Sequence, residues 1–133
     1  MTARAEGERS PRARRRAALL AVLLLAAPAA ARDALAPPDA IRHVGEAATV
    51  CGTVSSATYA RRTKGEPTFL NLGRPYPVHD FTALVWGEHR GAFAEPPERL
   101  EGRRICVTGT VSEYRGKAQI VVTAPAQIVV VKE

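Results

Sequence analysis

From Ala48 to its end the chain is a succession of short alternating runs broken by turn residues, a pattern that β-strands accommodate and helices do not. In Ala48 to Thr58, Val50, Gly52 and Val54 alternate with Cys51, Thr53 and Ser55, which predicts a strand with one apolar face. Gly52 within it predicts a bend or bulge. Arg61 to Pro67 is a basic turn, and Thr68 to Leu72 is a second strand, ended by Gly73, Pro75 and Pro77. Phe81 to Gly87 is a third strand, so apolar that it must be buried on both faces or lie under a helix. Glu88 to Leu100 is polar and fits a short helix over Arg90 to Phe93 followed by a loop. In the fourth strand, Arg103 to Tyr114, Ile105, Val107, Gly109 and Val111 face one way, and Cys106, Thr108, Thr110 and Ser112 the other. Arg115-Gly116 is a two-residue hairpin turn into a fifth strand, Ala118 to Thr123. Ala124-Pro125 interrupts that strand, and Gln127 to Val131 extends or caps the structure.

The first third of the chain is of another kind. Arg4, Arg9, Arg12, Arg14, Arg15 and Arg16 precede an apolar run from Ala17 to Ala27, followed by Pro28 and Ala29 to Ala31. A charged region, a short apolar region and a small-residue cleavage site make a signal peptide, with cleavage expected after Ala31. The apolar run falls short of the roughly 20 residues a spanning helix needs, although an uncleaved anchor is the alternative. The expected organisation is a signal peptide over 1–31, a linker and short N-terminal helix over 32–46, and a barrel over 47–133. In that linker Ile41 and Val44 are expected to pack inward. The protein is expected in the periplasm or secreted, with no stable membrane association once the signal is removed.

Segmenting the chain changes the meaning of its charge. The formal net charge is +6, but residues 1–32 hold seven arginines against Glu6 and Glu8, leaving about +1 for everything after them. Overall basicity is therefore no sign of a nucleic-acid partner, and only local clusters bear on it. The two cysteines, Cys51 and Cys106, both fall in the exported part and read as a disulfide first. Separately buried thiols, or a redox or metal pair, are the alternatives, although there is no C-x-x-C spacing. His79-Asp80 reads as a turn residue beside an Asx residue, not as a metal or acid–base pair. The sequence has no G-x-S-x-G, phosphate loop or H-E-x-x-H, and no nucleophile with a base, so neither an enzyme nor a metal or cofactor is expected.

The succession ATVCGTV, TFLNLGRPYP, FTALVWG, RRICVTGTVSEYRGKAQIVV and APAQI resembles OB-fold modules of the tRNA-anticodon-binding type. More narrowly, it is similar to small OB-like domains of secreted bacterial proteins, some of which accompany extracellular nucleases. The resemblance covers about residues 47 to 130 and is densest from Ile105 to Val122. It implies an all-β, five-stranded Greek-key barrel with a short helix between the third and fourth strands. It also implies a nucleic-acid-binding or accessory role. The first and fourth strands would be antiparallel neighbours, with Cys51 and Cys106 on one face.

OB folds bind on the face of the second and third strands, between the loops joining strands one to two and four to five. The first of those loops holds Tyr59, Arg61, Arg62 and Lys64, and the second Tyr114, Arg115 and Lys117. Phe69 and Asn71 would face the groove if Leu70 and Leu72 face the core, and Trp86 would join them or belong to the core. Cations beside rings suit single-stranded DNA or RNA. The reading from another class is a periplasmic module that binds another exported protein or a small ligand, or a structural adaptor.

Overall fold

The computed structural model describes residues 33–132; residues 1–32, and with them the expected signal peptide, lie outside the described residues, as does Glu133. The strands are β1 (Ala47–Tyr59), β2 (Thr68–Leu72), β3 (Phe81–Val85), β4 (Arg104–Tyr114), β5 (Lys117–Val121) and β6 (Ile128–Val130). They run in the order β1-β2-β3-β5-β4-β6, and β4 also pairs with β1. That second pairing closes five strands into a barrel, with β3 and β5 parallel and the other closing pairs antiparallel. This is the OB-fold, as the resemblance of the sequence implies.

β1 is shared between two neighbours. Its first half, from Ala47 to Thr53, pairs with β4, and its second half, from Val54 to Tyr59, pairs with β2. The register shifts between Val54 and Ser56, so the strand bends there by a bulge, just past the glycine at 52. Val50 and Val54 point into the barrel with Leu70, Leu72, Phe81, Ile105 and Ile120, all fully buried. Every residue of β3 is buried, in keeping with its near-continuous apolar run. The strand stops at Val85, however, and Trp86 sits at the N-cap of a single helical turn, α1 (Gly87–Arg90). The helix thus comes three residues earlier than Arg90 to Phe93, because the chain leaves the sheet before the glycine at 87. Likewise β5 ends at Val121: Val122 still donates its backbone N–H to the Leu84 carbonyl, but beyond it the N–H groups of Thr123 and Ala124 donate to Gln127 Oε1 instead of to a strand.

The segment before β1 closes one end of the barrel in an unexpected way. Pro37–His43 is a 3-10 helix, and it buries Pro37 and Ala40 while Ile41 and Val44 are 38% and 44% exposed. With about three residues per turn, positions 37 and 40 share a face, and the neighbours that α-helical spacing would turn inward are rotated outward. Gly52 makes room for this plug: a Cβ there would lie 2.6 Å from Pro37 Cγ.

Cys51 and Cys106 face each other in the β1–β4 ladder and are joined as a disulfide, with Cα atoms 4.0 Å apart. The hairpin between β4 and β5 turns on Arg115 and Gly116, both with positive φ (52° and 81°), the geometry of a type I′ turn.

Candidate functional site

One cavity, of about 590 Å³, opens on the outer face of the barrel. Its floor comes from strand positions that alternate with the core. Leu70 and Leu72 point inward, so Phe69 and Asn71 face out, opposite Thr58 of β1 and Thr82 of β3. Gln119 of β5 stands opposite Thr82 and completes the floor. Asn71 is an internal strut: its Oδ1 accepts from Thr82 Oγ1 (2.8 Å) and its Nδ2 donates to Ser56 Oγ (3.1 Å).

Two walls rise from this floor. The first is the β2–β3 loop, where Tyr76, Pro77 and His79 line the cavity. The loop is held by Asp80, whose carboxylate takes the Arg74 guanidinium at 2.7 Å and the Arg74 backbone N–H at 3.3 Å. That hydrogen bonding holds the Asp80 carboxyl below its usual range, against an opposing push from burial. Tyr76 is 71% exposed, and its ring stacks on His79 with centroids 5.7 Å apart and planes 18° from parallel. His79 is only 8% exposed, and its Nδ1 is buried without a hydrogen-bond partner. Burial, and then the nearby Lys117 ammonium, lower the His79 pKa below the usual histidine value, while Asp80 opposes them. The second wall is the β4–β5 hairpin with Tyr114, Arg115 and Lys117. Tyr114 is 58% exposed, with the Arg115 guanidinium 5.1 Å from its ring centroid. Lys117 Nζ donates to the His79 carbonyl at 2.8 Å and so ties one wall to the other.

The cavity therefore collects Phe69, Asn71, Tyr114, Arg115 and Lys117 from the residues that the sequence singles out. Tyr59, Arg61, Arg62, Lys64 and Trp86 are not among its lining residues. Register explains Tyr59: Thr58 pairs with Phe69 on the cavity side, so Tyr59, paired with Thr68, points to the opposite face. There its hydroxyl donates to Glu66 (2.8 Å), and the Arg90 guanidinium lies 3.6 Å from its ring centroid. The bond to Glu66 raises the Tyr59 hydroxyl pKa. Arg61 lies 5.7 Å from the same ring, and Arg61, Arg62 and Lys64 are all exposed. Trp86 lines a separate hollow with Gly65, Glu66, Gly87 and Glu88.

The sequence reading does not place Tyr76, Thr58, Thr82 or Gln119 at the site, and takes His79 only as a turn residue. The signal was present for Gln119, which alternates with the buried Ala118 and Ile120, but not for Thr58, which shares the parity of Val50 and Val54 and is turned outward by the bulge, nor for Thr82, whose strand is buried throughout. For Tyr76 and His79 it was not, because a loop has no periodicity to place its side chains. Among the described residues no group of three or more His, Cys, Asp or Glu is placed to hold a metal ion. No described helix is long and apolar enough to cross a membrane.

No protein-family model matches the chain. Nor does any curated protein match it. Among solved structures it is similar to a chain assigned as an aspartyl-tRNA synthetase from Leishmania major Friedlin, with a TM-score of 0.49, 16% identity, and coverage of 85% of this chain and 23% of that one. It is also similar to an aspartyl tRNA synthetase from Entamoeba histolytica, with a TM-score of 0.41, 18% identity, and coverage of 67% of this chain and 19% of that one. A further similarity is to OBody AM1L10 bound to hen egg-white lysozyme, with a TM-score of 0.39, 16% identity, and coverage of 69% and 85%. The chain spans less than a quarter of the length of either synthetase chain.

Proposed function

We propose that this protein is an exported, non-catalytic OB-fold protein that takes a short stretch of single-stranded nucleic acid into the cavity between the β2–β3 loop and the β4–β5 hairpin. The observation that carries this reading is the pairing of Tyr76 and Tyr114, exposed rings on opposite walls, with Arg115 and Lys117 beside them. Rings offer faces to bases, and cations follow phosphates. A cavity of about 590 Å³ is in the range that holds a small ligand, here one or two nucleotides. Support for export comes from the signal-like first 31 residues and from a disulfide suited to an oxidising compartment. The non-catalytic reading rests on the absence from the sequence of a nucleophile with its base. The narrower likeness to secreted bacterial OB-like proteins belongs to this same reading.

With few cations at the site, binding is weak and its salt dependence shallow, a slope of about −0.7 for each phosphate neutralised on a single strand. Titrating a labelled oligonucleotide against the protein at rising salt measures both. Tyr114→Ala and Tyr76→Ala each lower affinity about tenfold, the worth of one stacked base. Arg115→Ala lowers both the affinity and the slope, whereas Arg61→Ala with Arg62→Ala, outside the cavity, does less. Absence of binding at low salt would end the reading. Mass spectrometry of the protein recovered from outside the cytoplasm tests export: a chain beginning at Arg32 is expected, and one retaining residues 1–31 contradicts cleavage.

A further inference from the structure

The two exposed rings of the cavity stand on different walls, and one chain of contacts runs between them. Tyr114 and Lys117 are paired across the hairpin turn, so both side chains leave the sheet on the same face. The Lys117 ammonium crosses to the β2–β3 loop and donates to the His79 carbonyl at 2.8 Å. The His79 ring in turn lies against the Tyr76 ring. From ring to ring, the path is a cross-strand pair, a charge-assisted hydrogen bond and a stack.

The parallel ladder of β3 and β5 begins with Phe81 opposite Ala118, so the loop and the hairpin both project beyond the last pair that joins those strands. Among the described residues, the Lys117 bond is the one hydrogen bond between residues 73–80 and residues 114–117. The base of the loop is fixed without it, by Arg74 on Asp80. The far end of the loop depends on it more. Tyr76 has its backbone N–H on Ser56 Oγ at 3.3 Å, which holds the main chain, while its exposed ring leans on His79. The buried Nδ1 of His79 has no partner, so the polar anchor of that residue is the carbonyl that Lys117 takes. Lys117 is half-buried and Arg115 exposed, which suits the two cations to different work.

On the nucleic-acid reading above, we infer that Lys117 is a positioning residue: through His79 it keeps the Tyr76 ring in place across the cavity from Tyr114, and Arg115 is the cation left to meet a phosphate. A ring already in place spares the incoming strand the entropy of ordering it. Loss of Lys117 therefore acts on affinity through Tyr76.

Lys117→Met keeps the unbranched stem and removes the donor, and a labelled single-stranded oligonucleotide at low salt is the probe. K117M is expected to bind it about tenfold more weakly than the intact disulfide-bonded protein, the worth of one stacked base, with the salt slope unchanged. A double-mutant cycle shows whether the loss passes through Tyr76. In a Tyr76→Ala background K117M is expected to cost less than about twofold, because the ring it serves is gone, whereas Arg115→Ala keeps its full effect there. An equal loss from K117M in both backgrounds, with a slope about 0.7 shallower, would make Lys117 a phosphate contact. That result, or no loss in either background, would overturn the inference while leaving the nucleic-acid reading standing. If the unmutated protein binds no strand, the nucleic-acid reading itself falls and takes this one with it. Hydrogen exchange of the free protein reads the tie without a ligand: the Tyr76 and Val78 amides are expected to exchange faster in K117M, with the β3 amides unchanged. Equal exchange at the loop in the two forms would refute the role given to Lys117.

Discussion

Arg90 does more for this fold than its place in a polar insertion suggests. Its guanidinium donates to Glu98 through both terminal nitrogens (2.6 and 2.7 Å), donates to the buried Thr68 hydroxyl (2.9 Å), and lies against the Tyr59 ring. A single side chain thus joins the helical insertion to the end of β1 and the start of β2. Arg90→Ala leaves Glu98 without its partner and uncovers Tyr59, and is expected to cost about 2 kcal/mol, read as a lowered urea midpoint. The same pair gives the protein an acid dependence. The bond to Arg90 holds the Glu98 carboxyl below its ordinary value, so the contribution is complete above that ordinary value and is lost as pH falls through the depressed one. Urea midpoints measured across that acid range should fall for the unmutated protein and fall less for R90A; parallel curves would deny the pair this role.

The strand β1 shows how an element can owe its shape to one missing side chain. Its inward face is apolar at Val50 and Val54, yet between them the 3-10 helix Pro37–His43 presses close enough that only glycine fits at position 52. Gly52→Ala would place a methyl 2.6 Å from Pro37 Cγ, where something must move. The expected cost is about 1 to 3 kcal/mol, with the plug loosened and amides near Ala40 exchanging faster with solvent. Unchanged exchange at the plug together with unchanged stability would show that the segment 33–46 contributes little to closure. Alternation in β1 is plain in the sequence, and so is the hairpin at Arg115-Gly116. The path of the plug is not, because Ile41 and Val44 look as apolar as Pro37 and Ala40, and only packing against the barrel selects the 3-10 spacing.

For the molecule as a whole, the disulfide is the one covalent tie between distant parts of the chain. It joins residues 55 apart in sequence, across the pair of strands that closes the barrel. Cross-linking a loop of that length removes enough freedom from the unfolded chain to contribute about 4 kcal/mol, on the chain-entropy account. Cys51→Ala with Cys106→Ala should lower the melting temperature by well over 10 °C for a domain of about 100 residues. Equal melting of the two forms would mean that the ladder between β1 and β4 holds without the tie.

Strand alternation, the hairpin and the cysteine pair could all be read from the sequence, because each depends on side-chain types a few residues apart or on parity along a strand. Parity also put Phe69 and Asn71 on one face. It could not say that Tyr59 belongs to the other, since that required the register of β1 on β2, in which Thr58 and not Tyr59 meets Phe69. Nor could it bring Tyr76 and His79 to the cavity, for the course of a loop follows from the contacts at its ends: Arg74 on Asp80, and Lys117 reaching across from another hairpin. Local spacing determined the strands; contacts between distant residues closed them into a barrel and decided which side chains face its cavity.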